Sequence, residues 1–391
     1  MKYDFDSLTD RKGTYSLKWD TRNEQELPMW VADMDFATAP EIVDAICKRA
    51  RHGIFGYSYV PDTWRTAFGA WWQENHNYEI DPRWLVFATG VVPAISSLVR
   101  KMTTIGDNVL VQTPVYNIFF NSIVNNGRHI LESQLVYDGT DYHIDYADLE
   151  KKLSDPQTTM MLLCNPHNPI GRIWDEQTLA EIGELCWKHH VLVVSDEIHC
   201  DLTDPGLSYT PFASVSPHCA QNSITCLSAT KAFNMAGLQA AAIMVPNEEL
   251  RRKAQRGLNT DEVAEPNAFA VDATIAAFSE GRAWLLELQE YLYANKKMVS
   301  EFLEKELPMI HLVPSQATYL LWLDCSRIGV SSGKLAEFIR SSTGLWLAAG
   351  YEYGQCGDAF LRMNIATQKS RVADGLARLK NGMDGIVDKS I

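Results

Sequence analysis

The segment Val191-Leu-Val-Val-Ser-Asp196 is an apolar, largely β-branched run that ends on a carboxylate, and 35 residues after Asp196 stands Lys231, in Ser223-Ile-Thr-Cys-Leu227 followed by Ser228-Ala-Thr-Lys231-Ala-Phe-Asn234. Both apolar runs have the length and composition of buried strands. Further short apolar runs lie at 84–88, 108–112, 159–164 and 238–245, several of them separated by helix-like stretches such as 174–190. This alternation predicts a parallel sheet covered by helices. Upstream, residues 41–52 carry helical periodicity, with Pro40 suited to a first turn and Gly53 to a stop. From about 282 the texture changes. A long amphipathic segment, 284–306, leads to His311-Leu-Val-Pro314, an apolar run at 318–323 and a helix-like 332–342. The expected fold is α/β: a mainly parallel sheet in a large domain, 45–283, with a smaller α+β domain made of 1–44 and 284–391.

In open parallel sheets ligands bind beyond the carboxyl ends of the strands, so the polar residues that follow each run are the candidates. After Leu85-Val-Phe-Ala88 comes Thr89-Gly90-Val91-Val92-Pro93 and then a helix-like stretch. Free backbone N–H groups at a helix start, beside a glycine that permits close approach, suit a phosphate. After Met160-Met-Leu-Leu-Cys164 comes Asn165-Pro-His-Asn168-Pro-Ile-Gly171, a turn stiffened by two prolines that would hold an amide side chain at a fixed angle. Asp196 closes a buried strand, where a carboxylate is costly unless it meets a cation. Lys231 follows a strand and shares its turn with Ser228; desolvation and nearby positive charge would free its amine for imine formation and proton transfer. An amine to hold an aldehyde and an acid to keep a pyridine nitrogen protonated are what pyridoxal phosphate requires.

Composition narrows the rest. The chain has 391 residues, 46% of them hydrophobic, enough for a large core. A formal charge of −14 argues against nucleic acid or an anionic membrane as the main partner. The eight cysteines show no C-x-x-C and no spacing that pairs them with histidines, so the sequence indicates neither a metal site nor a disulfide framework, and reduced thiols in a cytoplasm are expected. Met1-Lys-Tyr-Asp-Phe-Asp6 is acidic without an apolar core, and no stretch approaches the roughly 20 apolar residues of a membrane span, so export and insertion are not expected. Ser228-x-x-Lys231 also fits the serine–lysine signature of penicillin-binding proteins and β-lactamases. Against that reading stand the lack of an export signal, of a lysine before Thr343-Gly344, and the strand-end placement of Asp196 and Asn168.

Six strings taken in order carry a resemblance: Pro28-Met-Trp-Val-Ala-Asp-Met-Asp-Phe36, Gly53-Ile-Phe-Gly-Tyr57, Cys164-Asn-Pro-His-Asn-Pro-Ile-Gly-Arg172, Ser195-Asp-Glu-Ile-His-Cys-Asp-Leu202, Lys231-Ala-Phe-Asn-Met-Ala-Gly-Leu238 and Leu361-Arg-Met-Asn-Ile-Ala366. Together they resemble fold-type I pyridoxal-phosphate enzymes and, more narrowly, the MalY/PatB-type cystathionine β-lyases, or carbon–sulfur lyases. The resemblance implies that Lys231 bonds the cofactor and moves protons, that Asp196 binds the pyridine nitrogen, and that Asn168 meets the ring hydroxyl. It further implies that Tyr116 stacks on the ring, that Ser228 and the backbone of Gly90 and Val91 bind phosphate, and that Tyr57 reaches in from a second subunit of a homodimer. Arg362 matches the arginine that takes the α-carboxylate of an amino-acid substrate. Two positions depart from the wider aminotransferase pattern: Gln239 stands eight residues after Lys231, where a cation is common, and His199 stands three after Asp196, where a tyrosine is common. The activity implied is α,β-elimination that cleaves the β C–S bond of cystathionine, and possible action on cysteine or related S-conjugates is left open. An aminotransferase on the same scaffold and an added regulatory role through a protein partner are the alternatives.

Overall fold

The computed structural model describes residues 2–389. Its main sheet has seven strands, in the order Leu85–Ala88, Ala241–Met244, Ser223–Leu227, Leu192–Asp196, Thr158–Cys164, Asn108–Val111 and His129–Glu132 from edge to edge. Ala241–Met244 runs antiparallel to both its neighbours, and the pairings from Ser223–Leu227 across to His129–Glu132 are parallel. The expected run at 238–245 therefore becomes a reversed strand. The reason lies in the connection: residues 228–240 hold turns and one short 3-10 segment, Ala236–Leu238, with no α-helix to carry a parallel crossover. The helices that flank the sheet bury apolar faces on it, which explains why its central strands read as continuous apolar runs.

The expected helix at 41–52 is Pro40–His52, and Gly53 ends it at φ 77° with its N–H donating to the Ala50 carbonyl. A second helix, Asp62–His76, packs Trp64, Phe68, Trp71 and Trp72 into the core. Beyond the main sheet lie the 25-residue helix Arg282–Glu306 and a four-stranded antiparallel sheet in the order His311–Leu312, Leu320–Asp324, Phe360–Asn364, Ala348–Ala349. Among the described residues no helix is long and apolar enough to cross a membrane.

The N-terminal segment is what closes the space between the two sheets. Leu27–Pro28 pairs with Leu345–Trp346, and the Asn364 and Asp35 N–H groups donate to the Met29 and Ala366 carbonyls. An ion cluster pins the segment: the Lys18 ammonium lies 3.0 Å from the buried Asp35 carboxylate, Arg11 reaches Asp33 at 2.7 Å and Asp35 at 2.9 Å, and the Trp19 indole N–H donates to Asp35. Asn234 bonds the backbone at Met34 and Phe36. As a result Ala32 is held directly against Lys231.

Candidate active site

A cavity of about 230 Å³ opens at the carboxyl ends of the central strands, and Gly90, Val91, Tyr116, Asn168, Asp196, His199 and Lys231 all line it. They come from the ends of several strands, Gly90 and Val91 following Leu85–Ala88, and Asp196 and His199 closing and following Leu192–Asp196. Asp196 ends its strand 4% exposed, and its Oδ1 accepts the Ile198 N–H at 3.2 Å. Burial pushes the carboxyl up to about 6, against a weaker pull from the Lys231 charge. Lys231 donates from Nζ to the Ala32 carbonyl at 2.6 Å. Burial, followed by the positive Arg362, brings its ammonium down to about 8, so a useful fraction of the amine is free near neutrality.

At the phosphate end, Gly90 has φ 156° and ψ 161°, a conformation open in practice to glycine alone, and an added Cβ would lie 3.2 Å from the Pro93 ring. It precedes the helix Val91–Met102, whose first N–H groups have no partner within the helix. Ser228 is not among the lining residues. Its hydroxyl sits 2.7 Å from Thr230 Oγ1 and donates to the Ala240 carbonyl, and Thr230 is the hydroxyl from this turn that lines the cavity. Gln239 also lines it, in the left-handed region at φ 53°.

Across the cavity, the Asn168 turn is fixed by Gly171, which at φ 68° leaves no room for a Cβ: one would lie 2.5 Å from Ser315 Cβ. His199 Nδ1 is buried without a hydrogen-bond partner among the described residues, and burial with the charges of Lys231 and Arg362 holds the ring neutral, down to about 3. Burial raises the Tyr116 phenol to about 12, so it stays protonated. Arg362, on the strand Phe360–Asn364, donates to Asn168 Oδ1 at 3.2 Å and to the Trp30 carbonyl at 2.8 Å, with its guanidinium 4.7 Å from the centre of the Tyr353 ring. Its Nε is buried and unpartnered among the described residues. Tyr57 stands apart, fully exposed on an irregular segment. The sequence reading missed the Ala32 carbonyl, Thr230 as a lining hydroxyl, and Tyr319, whose phenol donates to the same Ala32 carbonyl at 3.1 Å. No local pattern announces a backbone carbonyl brought in from 199 residues away.

The donors fit pyridoxal phosphate: a carboxylate for the ring nitrogen, an unpartnered imidazole and an amide for the hydroxyl, a helix start for the phosphate, and a partly neutral lysine between them. The model of the aminotransferase class I and II family matches residues 27–379, and the chain belongs to that family. Within it, the chain is 43% identical to cystathionine beta-lyase PatB of Bacillus subtilis, over 96% of this chain and 98% of that one. Among solved structures, cystalysin from Treponema denticola, which contains a pyridoxal 5'-phosphate cofactor, superposes with a TM-score of 0.95 at 31% identity, covering 99% of this chain and all of that one. The pyridoxal-phosphate-bound C-S lyase from Staphylococcus hominis, complexed with L-cycloserine, gives 0.92 at 32% identity, covering 97% of this chain and 98% of that one.

Proposed function

We propose that the cavity binds pyridoxal 5'-phosphate and that the protein is a carbon–sulfur lyase, cleaving the β C–S bond of L-cystathionine to homocysteine, pyruvate and ammonia. The observation that carries the reading is the facing pair Lys231 and Asp196, an amine made partly neutral and a buried acid in one cavity whose far end is a helix start. When bound, the cofactor supplies an electron sink for the charge left at the substrate's Cα. Lys231 would hold the cofactor's aldehyde carbon, and its amine, steadied by the Ala32 carbonyl, would take the Cα proton of the substrate. Asp196, once beside a cation, ionises and keeps the ring nitrogen protonated. Asn168 and His199 would meet the ring hydroxyl, and Tyr116 would cover the ring. Gly90, Val91 and the Ser228–Thr230 turn take the phosphate, with hydroxyls and the helix start acting where Gln239 supplies no charge. Arg362 leaves its present neighbours to grip the α-carboxylate through two N–H groups. The departing thiolate, from a thiol of pKa ~8.5, needs little acid help, and Lys231 or a tyrosine suffices.

The same reading makes the enzyme a homodimer. Ile54, Phe55, Tyr57 and Tyr59 stand 67%, 56%, 103% and 80% exposed on one irregular segment, an apolar surface that a second copy would cover while delivering Tyr57 to its site. The division into 45–283 and the remaining residues, and a cytoplasmic setting, belong to this proposal. The test is to incubate the pure protein with cystathionine and no keto acid. Stoichiometric pyruvate and homocysteine over many turnovers are expected. Turnover that halts after one equivalent until a keto acid is added would replace elimination with amino transfer.

A further inference from the structure

Behind the cofactor cavity, the turn that follows Asp196 meets the end of the helix Asp62–His76, and there the fold assembles what sequence spacing does not. His76, Cys200 and Asp201 each offer one donor atom, and the three atoms lie within 4.8 Å of one another. The groups are deeply placed: Cys200 is 1% exposed and Asp201 4%. Asp201 Oδ1 is occupied, accepting from the Trp71 indole N–H at 2.9 Å and lying 2.8 Å from His76 Nε2. Its Oδ2, by contrast, is buried with no hydrogen-bond partner among the described residues. A buried carboxylate oxygen left unmatched is costly, and a cation removes that cost. The donors also line a second cavity of about 230 Å³, which Glu74 and Gln289 help to enclose.

We propose that His76, Cys200 and Asp201 form a zinc(II) site, distinct from the cofactor cavity. One nitrogen, one sulfur and one oxygen are the donor set of zinc, whereas magnesium and calcium take oxygen. Tetrahedral bonds of about 2.0–2.3 Å put donors about 3.3–3.8 Å apart, so the ion draws the present arrangement inward by about 1 Å through side-chain rotation. Binding releases the Cys200 thiol proton to solvent, and the His76 nitrogen that takes the ion gives up any proton it carries while the other ring nitrogen keeps its own. Three protein donors leave the fourth position to water or to Glu74 from the cavity wall. The consequence is mechanical: the ion ties the helix Asp62–His76 to the turn that carries Asp196 and His199.

The test uses the cofactor-loaded protein after chelation, titrated with zinc and, separately, with cobalt(II), whose tetrahedral d–d bands lie at longer wavelength than cofactor absorbance. We expect one equivalent bound at sub-micromolar concentration and a raised unfolding temperature. His76→Gln and Cys200→Ser are each expected to weaken binding by about 100-fold or more and to abolish the cobalt bands. His76 lies at a helix end, so its variant keeps the test readable where Cys200→Ser disturbs the core. Absence of binding at about 10 μM zinc in the folded wild-type protein would overturn the proposal. So would binding that persists unchanged in both variants, which would place the ion elsewhere.

Discussion

Asp196→Asn separates what the carboxylate costs the fold from what it does for the reaction. In the protein without cofactor, Asp196 is buried and its carboxyl lies at about 6 rather than the usual 3.8, chiefly through desolvation. A group whose pKa is raised on folding stabilises the fold below its unfolded value and loses that contribution as pH rises through the folded one. The window is therefore about pH 4 to 6. Above it the ionised carboxylate costs the full gap of about two pH units at about 1.4 kcal/mol each, or about 3 kcal/mol; at pH 5 the cost is about half that. Asparagine keeps the shape and the acceptor for the Ile198 N–H, and carries no charge. The cofactor-free variant should then be more stable than wild type by up to about 3 kcal/mol at pH 7.5, by about half as much at pH 5, and hardly at all at pH 4. That figure already includes the attraction of the Lys231 ammonium, which holds the carboxyl below where burial alone would put it. Denaturant unfolding of both cofactor-free proteins at matched concentration measures the difference across pH. With cofactor, turnover of the variant should fall by orders of magnitude, since an unprotonated ring is a poor electron sink. A stability difference that is independent of pH, or near-normal turnover, would refute the reasoning.

Three other outcomes are expected. Lys231→Ala should lose the borohydride-reducible link to pyridoxal phosphate while still binding it weakly, and peptide mapping of the reduced wild type should find the label on Lys231. Arg362→Ala should raise KM for every amino acid with little change in the cofactor spectrum; a lost two-pronged contact to a carboxylate is worth about 2–4 kcal/mol, or about 30- to 1000-fold in kcat/KM. The same variant removes a positive charge that lowers the Lys231 ammonium, so the rate at which cofactor-free enzyme captures pyridoxal phosphate, which should rise through about pH 8 in wild type, should shift to higher pH, as followed by absorbance.

What could be read from the sequence was whatever local pattern encodes. The central strands announced themselves as apolar runs because both sheet faces are covered, and Gly53 and Pro40 marked a helix because each acts through its own backbone. Asp196, Asn168 and Lys231 stood out because a polar residue closing a buried strand has few uses, and the fold does bring them to one cavity. The reversed strand at 241–244 was missed although its cue was present, in a connection without a helix.

What could not be read depends on contacts between distant segments. The Ala32 carbonyl reaches Lys231 because Arg11, Lys18, Asp33 and Asp35 collapse into one ion cluster that fixes the segment between Pro28 and Phe36, and no spacing rule links a cluster at residues 11–35 to a lysine at 231. His76 and Cys200 illustrate the same limit more sharply. Neither sits in a metal-ligand spacing, and the sequence indicated no metal, yet a helix end and a strand turn 124 residues apart set their donors within 4.8 Å beside a carboxylate oxygen that has no hydrogen-bond partner among the described residues. Spacing rules find ligands that share a loop or a helix face. Ligands that come together through the tertiary fold are found by asking which buried polar atoms the fold has left unmatched.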